Sequence, residues 1–323
     1  MFRLRLVPET TNIDFFRFDR VFMILSAVAI IASLALFFTR GLNYGVDFLG
    51  GTLIMAETPD EQPVGDFRDV LTTLDVGDVA VTRVSDPAGT ARHAVLMRIG
   101  ITDEDPDAQA ALVTEVQAAL NTAFPGISYL QVDNVGAKVS GELVRAGIFA
   151  VVAAIGAILF YIWLRFEWQF SVAAVASLVH DVIITIGVFS LLQIEFNLSI
   201  IAAILTIVGY SLNDTVIVFD RVRENLRKYK STPLVEVLNL SLNETLSRTL
   251  MTSGTTLIAL FALFYLGGEV IHGFTFAMIW GVLIGTYSSI WIASALLLRL
   301  GVKRDWSKPD AGGAGTQFAN VDV

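Results

Sequence analysis

Six stretches of the chain are apolar for long enough to matter before any single residue does: 21–38, 143–164, 170–192, 198–219, 250–266 and 274–298. At about 20 residues each they match the roughly 30 Å hydrocarbon core of a bilayer, so the pattern predicts a polytopic helical membrane protein with six transmembrane helices. The first run follows Arg3, Arg5, Arg17 and Arg20, the charge order of a signal peptide. Its apolar core is longer than a typical signal core, and no small-x-small site follows at Thr39-Arg40-Gly41, so it reads as an uncleaved first span.

Between the first two runs the pattern changes to short alternating and helical segments. Residues 52–57, 79–84, 93–101 and 127–135 read as strands. Phe67, Val70, Leu71 and Leu74 share one helical face, as do Leu112, Val116, Ala119 and Leu120, the second behind an acidic cap at 102–105 and Pro106. The order β-α-β-β-α-β predicts a small α+β domain of the split βαβ, ferredoxin-like kind. His93 fits an ordinary surface strand position.

Composition sharpens this division. Residues 40–140 hold 15 Asp/Glu and 6 Lys/Arg, which accounts for the whole net charge of −9. An acidic soluble part and a balanced membrane part argue against a nucleic-acid partner. The 15 Lys/Arg of the lead, the Arg165 turn, the 220–249 interval and the tail after Leu298 face short loops at 193–197 and 267–273 that have none. This asymmetry places both termini in the cytoplasm and 40–140 in the periplasm. The expected organisation is a cytoplasmic lead at 1–20, the first span at 21–39, and a periplasmic α+β domain at 40–140 with its Gly-rich connector. A five-helix bundle at 141–300 with a cytoplasmic loop at 220–249 follows, then a disordered tail at 301–323.

With no cysteine and three scattered histidines, neither a disulfide nor a metal site is expected. No Ser-His-Asp order, paired-carboxylate protease motif or nucleotide loop supports an enzyme, and no cofactor is expected. The chemistry lies in polar residues inside apolar runs. A carboxylate at the centre of a span costs about 2.5–3.5 kcal/mol on insertion scales. Asp214 stands well before the charged end marked by Asp220, Arg221 and Arg223, with Ser211, Asn213, Thr206 and Tyr210 around it. Arg248 opens the next span ahead of Thr252, Thr255 and Thr256. If the two spans run in opposite directions, Asp214 and Arg248 lie at similar depth and form a pair that opens and closes, as a proton relay requires. The alternative is that Arg248 snorkels to the interface. On the third span Ser177, Asp181 and Thr185 share a face with His180 beside them, which fits either a proton-carrying face or hydrogen bonds between packed helices. Gly281, Gly285, Thr286, Ser288 and Ser289 mark a close-packed face of the sixth span.

GLNYGVDFLGGT at 41–52 has four glycines in eleven residues, which predicts a helix-free, shaped connector. Together with GYSLNDTVIVFDRVRENLR at 209–227 and SLNETLSRTLMTSGTT at 241–256, it makes the chain resemble the SecF family. These are membrane subunits of the bacterial SecD–SecF protein-export complex, related to the resistance-nodulation-division transporters. The resemblance runs from residue 1 to about 304, and Leu49 stands where the family often has a polar residue. It implies six membrane helices, inner-membrane localisation, protons as the coupling ion, and Asp214 and Arg248 as the proton relay. Ser211, Asn213, Thr252, Thr255, Asp181 and His180 would support them, and Gly45, Asp47, Gly50 and Gly51 would form the connector motif. It also implies SecD as a separate chain, the SecYEG channel and SecA as partners, YajC and YidC as further ones, and unfolded secreted proteins as clients. Two other readings remain open on the residues alone: a proton-coupled small-molecule exporter, and a scaffold that steadies a translocon without transport.

Overall fold

The computed structural model describes residues 11–74, 76–84, 93–100 and 106–302. Arg3, Arg5, the acidic stretch 102–105 and the tail from 303 onwards lie outside the described residues.

Among the described residues, six helices are long and apolar enough to cross a membrane, the mark of a multi-pass membrane protein. The first is α1 (Asp19–Arg40), led by a short 3-10 turn at Phe15–Phe18. A two-residue strand β1 (Asn43–Tyr44) and a one-turn helix α2 (Val46–Leu49) lead into the soluble domain. This domain comprises β2 (Gly51–Glu57), α3 (Val64–Thr72), β3 (Val79–Arg83), β4 (Ala94–Ile99), α4 (Pro106–Ala123) and β5 (Ser128–Val135). The chain then returns through α5 (Ala137–Arg165), α6 (Trp168–Leu192), β6 (Glu195–Phe196), α7 (Leu198–Lys228), α8 (Leu234–Leu266) and α9 (His272–Ser288). A five-residue π-helical segment, Ser289–Ala293, joins α9 to α10 (Ser294–Leu300), and the three together make the sixth span.

The soluble sheet has the order β3-β4-β2-β5, with every neighbouring pair antiparallel. This is the split βαβ arrangement expected from the sequence. Phe67 and Leu71 of α3 and Val116 and Leu120 of α4 cover one face, packing on Ile54, Val81, Val95 and Met97. Leu53 and Met55, on the other face of β2, are also buried, and this face looks toward Ile194, Glu195 and Phe274 of the bundle. His93 is exposed in a left-handed turn just before β4, so it is a turn residue rather than a strand one.

Three further expectations change. The interval 220–249 is not a loop: α7 runs on to Lys228, α8 starts at Leu234, and only a short turn separates them. Its many charges sit on the solvent side of two packed helices whose inner sides, Val222, Leu226, Val237, Leu238 and Leu242, form a buried cluster. Arg221 bridges Glu224 at 2.6 Å and Glu244 at 2.8 Å, and Asn225 bonds Ser241. Secondly, the connector is not free of helix, because Gly45 and Gly50 bracket the turn α2. Thirdly, the 193–197 loop contains β6, which pairs in parallel with β1.

In the bundle α7 packs centrally against α5, α6, α8 and α9, while α1 lies along α6. The lead segment is tied down too. Thr11 and the Ile13 and Phe15 amides bond to Asn243 and Asn239 of α8.

Candidate functional site

The connector sets where α7 begins. Asp47 in α2 accepts a hydrogen bond from the Leu198 amide at 2.8 Å, so a residue 151 positions away satisfies an amide of the first turn of α7. The adjoining Asn197 side chain takes the Ile200 amide. A Cβ on Gly45 would lie 2.6 Å from a Glu195 oxygen, which explains the glycine beside the β1–β6 pairing. A Cβ on Gly51, at φ +111°, would lie 2.3 Å from the Ile99 carbonyl, so only glycine admits the β2–β4 contact there. Gly50 also has positive φ. Arg98 of β4 bonds Glu195 at 2.8 Å and Asn43 at 3.3 Å, fastening the sheet to the same point. The connector motif therefore joins the soluble sheet to the start of α7. Asp47→Ala is expected to destabilise the chain by about 1 kcal/mol, the usual cost of a lost helix cap, whereas Asp47→Asn keeps an acceptor. Hydrogen exchange at the first turn of α7 checks this: unchanged protection in Asp47→Ala would refute the capping role.

Asp214 lies on α7 and is buried. One carboxylate oxygen accepts from Thr249 Oγ1 of α8 at 3.0 Å. The other is buried with no hydrogen-bond partner among the described residues. Such an orphaned acceptor costs about 1–3 kcal/mol, which a donor or a proton relieves. As their spacing predicts, Asp214 and Arg248 stand on neighbouring helices, and the Arg248 charge acts on the carboxylate through space. Among the described residues, however, no ion pair joins them. Arg248 is exposed, and it is the next residue, Thr249, that reaches Asp214. Nothing in the apolar pattern singles out Thr249, since a lone threonine among many is unremarkable.

The supporting residues divide into two groups. Ser211 does not serve Asp214: its hydroxyl donates to Asp181 at 2.7 Å. Ser288 donates to the same Asp181 oxygen at 2.8 Å, and His180 Nδ1 meets the other oxygen at 2.9 Å. Asp181 is thus surrounded by α6, α7 and α9. Thr185 bonds the Asp181 main-chain carbonyl, and Ser177 is buried without a partner among the described residues. Asn213, Thr252 and Thr255 behave differently. Thr252 and Thr255 bond carbonyls of their own helix, and Asn213 and Thr255 are exposed. With Thr206, Gly209 and Arg248 they form a polar and small-residue face of α7 and α8 that no described residue covers. The glycines of the sixth span pack as expected: a Cβ on Gly281 would meet Ile207 at 2.2 Å, and one on Gly285 would meet Ser211 at 3.0 Å.

Comparison with known proteins bears directly on these segments. The family described as "Protein export membrane protein SecD/SecF, C-terminal" matches residues 115–303, and the SecD/SecF GG motif matches residues 35–54. The protein translocase subunit SecF of Cereibacter sphaeroides is 52% identical over 323 residues, covering 100% of this chain and 99% of the relative. The chain belongs to the SecF family. The SecF subunit of Rhodobacter capsulatus is 48% identical across 96% of the chain and 95% of its own length. Some family relatives are longer. Protein translocase subunit SecDF of Brucella abortus is 41% identical, but the chain spans 40% of that relative. The crystal structure of SecDF, a translocon-associated membrane protein from Thermus thermophilus, superposes with a TM-score of 0.80 at 33% identity. It covers 91% of this chain, which spans 39% of the SecDF chain. Both family matches fall on the features described above. The GG motif region includes Gly45, Asp47, Gly50 and Gly51, and the SecD/SecF region contains both Asp214 and Asp181.

Proposed function

We propose that this export subunit couples proton flow down the proton-motive force to late steps of preprotein translocation and release across the inner membrane. One observation carries the reading: a carboxylate, Asp214, buried in a transmembrane bundle with one oxygen unpartnered among the described residues and an exposed arginine a helix away. Asp214 takes up and gives up the proton, Arg248 responds to its charge, and the connector carries the change in α7 to the soluble sheet. Both termini lie in the cytoplasm and the α+β domain in the periplasm, supported by the Lys/Arg asymmetry between the two sets of loops.

SecD, as a separate chain, covers the exposed face of α7 and α8. The fused Brucella and Thermus relatives support this partner, since this chain corresponds to about two-fifths of each. SecYEG, SecA, YajC and YidC are the further partners of this reading, and unfolded secreted chains its clients.

Inner-membrane vesicles that contain this chain and SecD in place of the native pair provide the test. After SecA-driven initiation, completion of translocation is followed with the proton gradient present or collapsed by a protonophore. The gradient is expected to accelerate completion only when this chain is present. Equal acceleration without it would overturn the coupling.

A further inference from the structure

The network around His180 and Asp181 extends beyond the residues already described. His180 Nε2 lies 3.1 Å from Ser26 Oγ of α1. Ser26 Oγ lies 2.8 Å from Tyr287 Oη of α9, and Tyr287 donates to the Phe22 carbonyl at 3.0 Å. The pair is 1–2% exposed, whereas Tyr287 is half-buried at a cleft between α1, α6 and α9.

Two proton arrangements satisfy the donors along this line, and the first starts from the Tyr287 bond to the Phe22 carbonyl. Tyr287 has one hydroxyl proton, and it goes to the Phe22 carbonyl, which can only accept. Ser26 must then donate to Tyr287. Ser26 has no second proton, so His180 Nε2 must donate to Ser26. The His180–Asp181 pair, joined through Nδ1 and Oδ1, therefore holds one proton more than an ionised aspartate beside a neutral imidazole donating through Nδ1. Ser211 and Ser288 supply the only donors to the other oxygen among the described residues. In a dry interior a separated ion pair is poorly compensated, so the neutral arrangement, with the proton on Oδ1, is favoured.

The opposite arrangement is complete but for one bond. Tyr287 donates to Ser26, Ser26 donates to Nε2, and Nδ1–H donates to an ionised Asp181. Only the Tyr287 bond to Phe22 is lost. The two arrangements differ by one proton and by the direction of every hydroxyl between them.

We propose that the Asp181–His180 pair is a second proton-loading site, separate from Asp214, filled through Ser26 and Tyr287. A proton arriving at the Tyr287 oxygen releases the Tyr287 proton to Ser26. Ser26 passes its own proton to Nε2, and the Nδ1 proton moves to Asp181 Oδ1. One proton enters, the pair goes from one negative charge to none, and the line is left pointing outward. The line reaches α1, α6, α7 and α9 through single side chains, so loading changes the bonding of four helices at one point. Ser288 immediately precedes the π-helical segment Ser289–Ala293, a backbone irregularity often found at functional sites.

Few other titratable groups face the pair. Between Arg20 and Arg40, α1 has none, and α6 has only the pair itself. On α7 Tyr210 adjoins Ser211 and Asp214 lies three residues past it, and on α9 and α10 Tyr287 is joined only by the distant His272 and Arg299.

The role of this site in export rests on the proton-driven reading, but its test does not. The full chain with SecD in lipid nanodiscs is examined by infrared difference spectroscopy. Near neutral pH a protonated-carboxyl band is expected that Asp181→Asn removes and Asp214→Asn leaves in place. Asp181→Glu, which keeps the acid, should shift it, and serves where Asp181→Asn does not fold. Tyr287→Phe should leave the band but slow its hydrogen–deuterium exchange by roughly five- to tenfold, the effect of removing one hydrogen bond from the path. A band unaltered by either Asp181 substitution, no such band at all, or wild-type exchange in Tyr287→Phe would overturn the proposal. If vesicles show no gradient dependence while the band behaves as expected, the coupling fails and the proton site stands. If export depends on the gradient and the band is missing, the proton site fails and the coupling stands.

Discussion

Asp214→Asn is expected to abolish gradient-stimulated translocation, leaving completion at the rate seen when the gradient is collapsed. Asparagine keeps the size of the side chain and an oxygen for the Thr249 hydroxyl, so the contact between α7 and α8 survives. What it loses is the capacity to change charge. Moving one charge through a 100 mV potential is worth about 2.3 kcal/mol, and a chain that cannot load the charge at this point harvests none of it. Because each stroke is that small, translocation needs many, and partial coupling would show as a graded loss. Thermal unfolding should match the parent chain within about 1 kcal/mol, since the neutral amide costs less to bury than an ionised carboxylate, which offsets the unpartnered N–H groups it places where the orphaned oxygen stood. Full gradient stimulation in Asp214→Asn would show that the relay lies elsewhere.

Gly187→Val is expected to be the most damaging packing change in the bundle. A Cβ at this position would stand 2.7 Å from the Ser33 Cα and 2.1 Å from its Oγ. The obstruction includes backbone, so rotating a side chain cannot clear it, and α1 must move away from α6. Overpacking usually costs about 1–3 kcal/mol, and a contact that displaces a whole helix belongs at or above the upper end. The same displacement would pull Ser26 from His180, since both contacts lie on the α1–α6 seam. Gly156→Ala is the matched control: nothing lies within 4 Å of its Cβ, and removing a mid-helix glycine should be neutral or stabilising by up to about 1 kcal/mol. Melting of the two variants in the same lipid decides the matter, and equal stability would mean that α1 is not held where the structure places it.

These two residues also show how far the sequence can be read. Asp214 is conspicuous because a carboxylate in an apolar run breaks the rule for its surroundings. The six spans and the α+β domain are legible for a related reason: periods of 3.6 and 2 are local properties. Gly187 is not conspicuous, because its meaning depends on Ser33, 154 positions earlier. Thr249, Ser26 and Tyr287 escape notice likewise, as ordinary hydroxyl residues made significant by partners 35 to 261 positions away. Spacing alone assigns Ser211 to Asp214, but helix rotation in the bundle turns it to Asp181 on another helix. The helical part of 220–249 is hidden because its exposed face carries charges that read as a loop. The connector's single turn of helix is too short to leave a period at all.

The uncovered face of α7 and α8 has a consequence for how the cell must make this protein. A copy without its partner presents Asn213 and Arg248 toward the surrounding membrane, an unfavourable surface in lipid. Such an orphan is a natural target for membrane quality control, so synthesis of the two subunits has to be matched. The fused relatives from Brucella and Thermus meet that demand by translating both halves as one polypeptide. Under the proposal that SecD is a separate chain, the match comes from the timing of two products, and a surplus of either one should be short-lived.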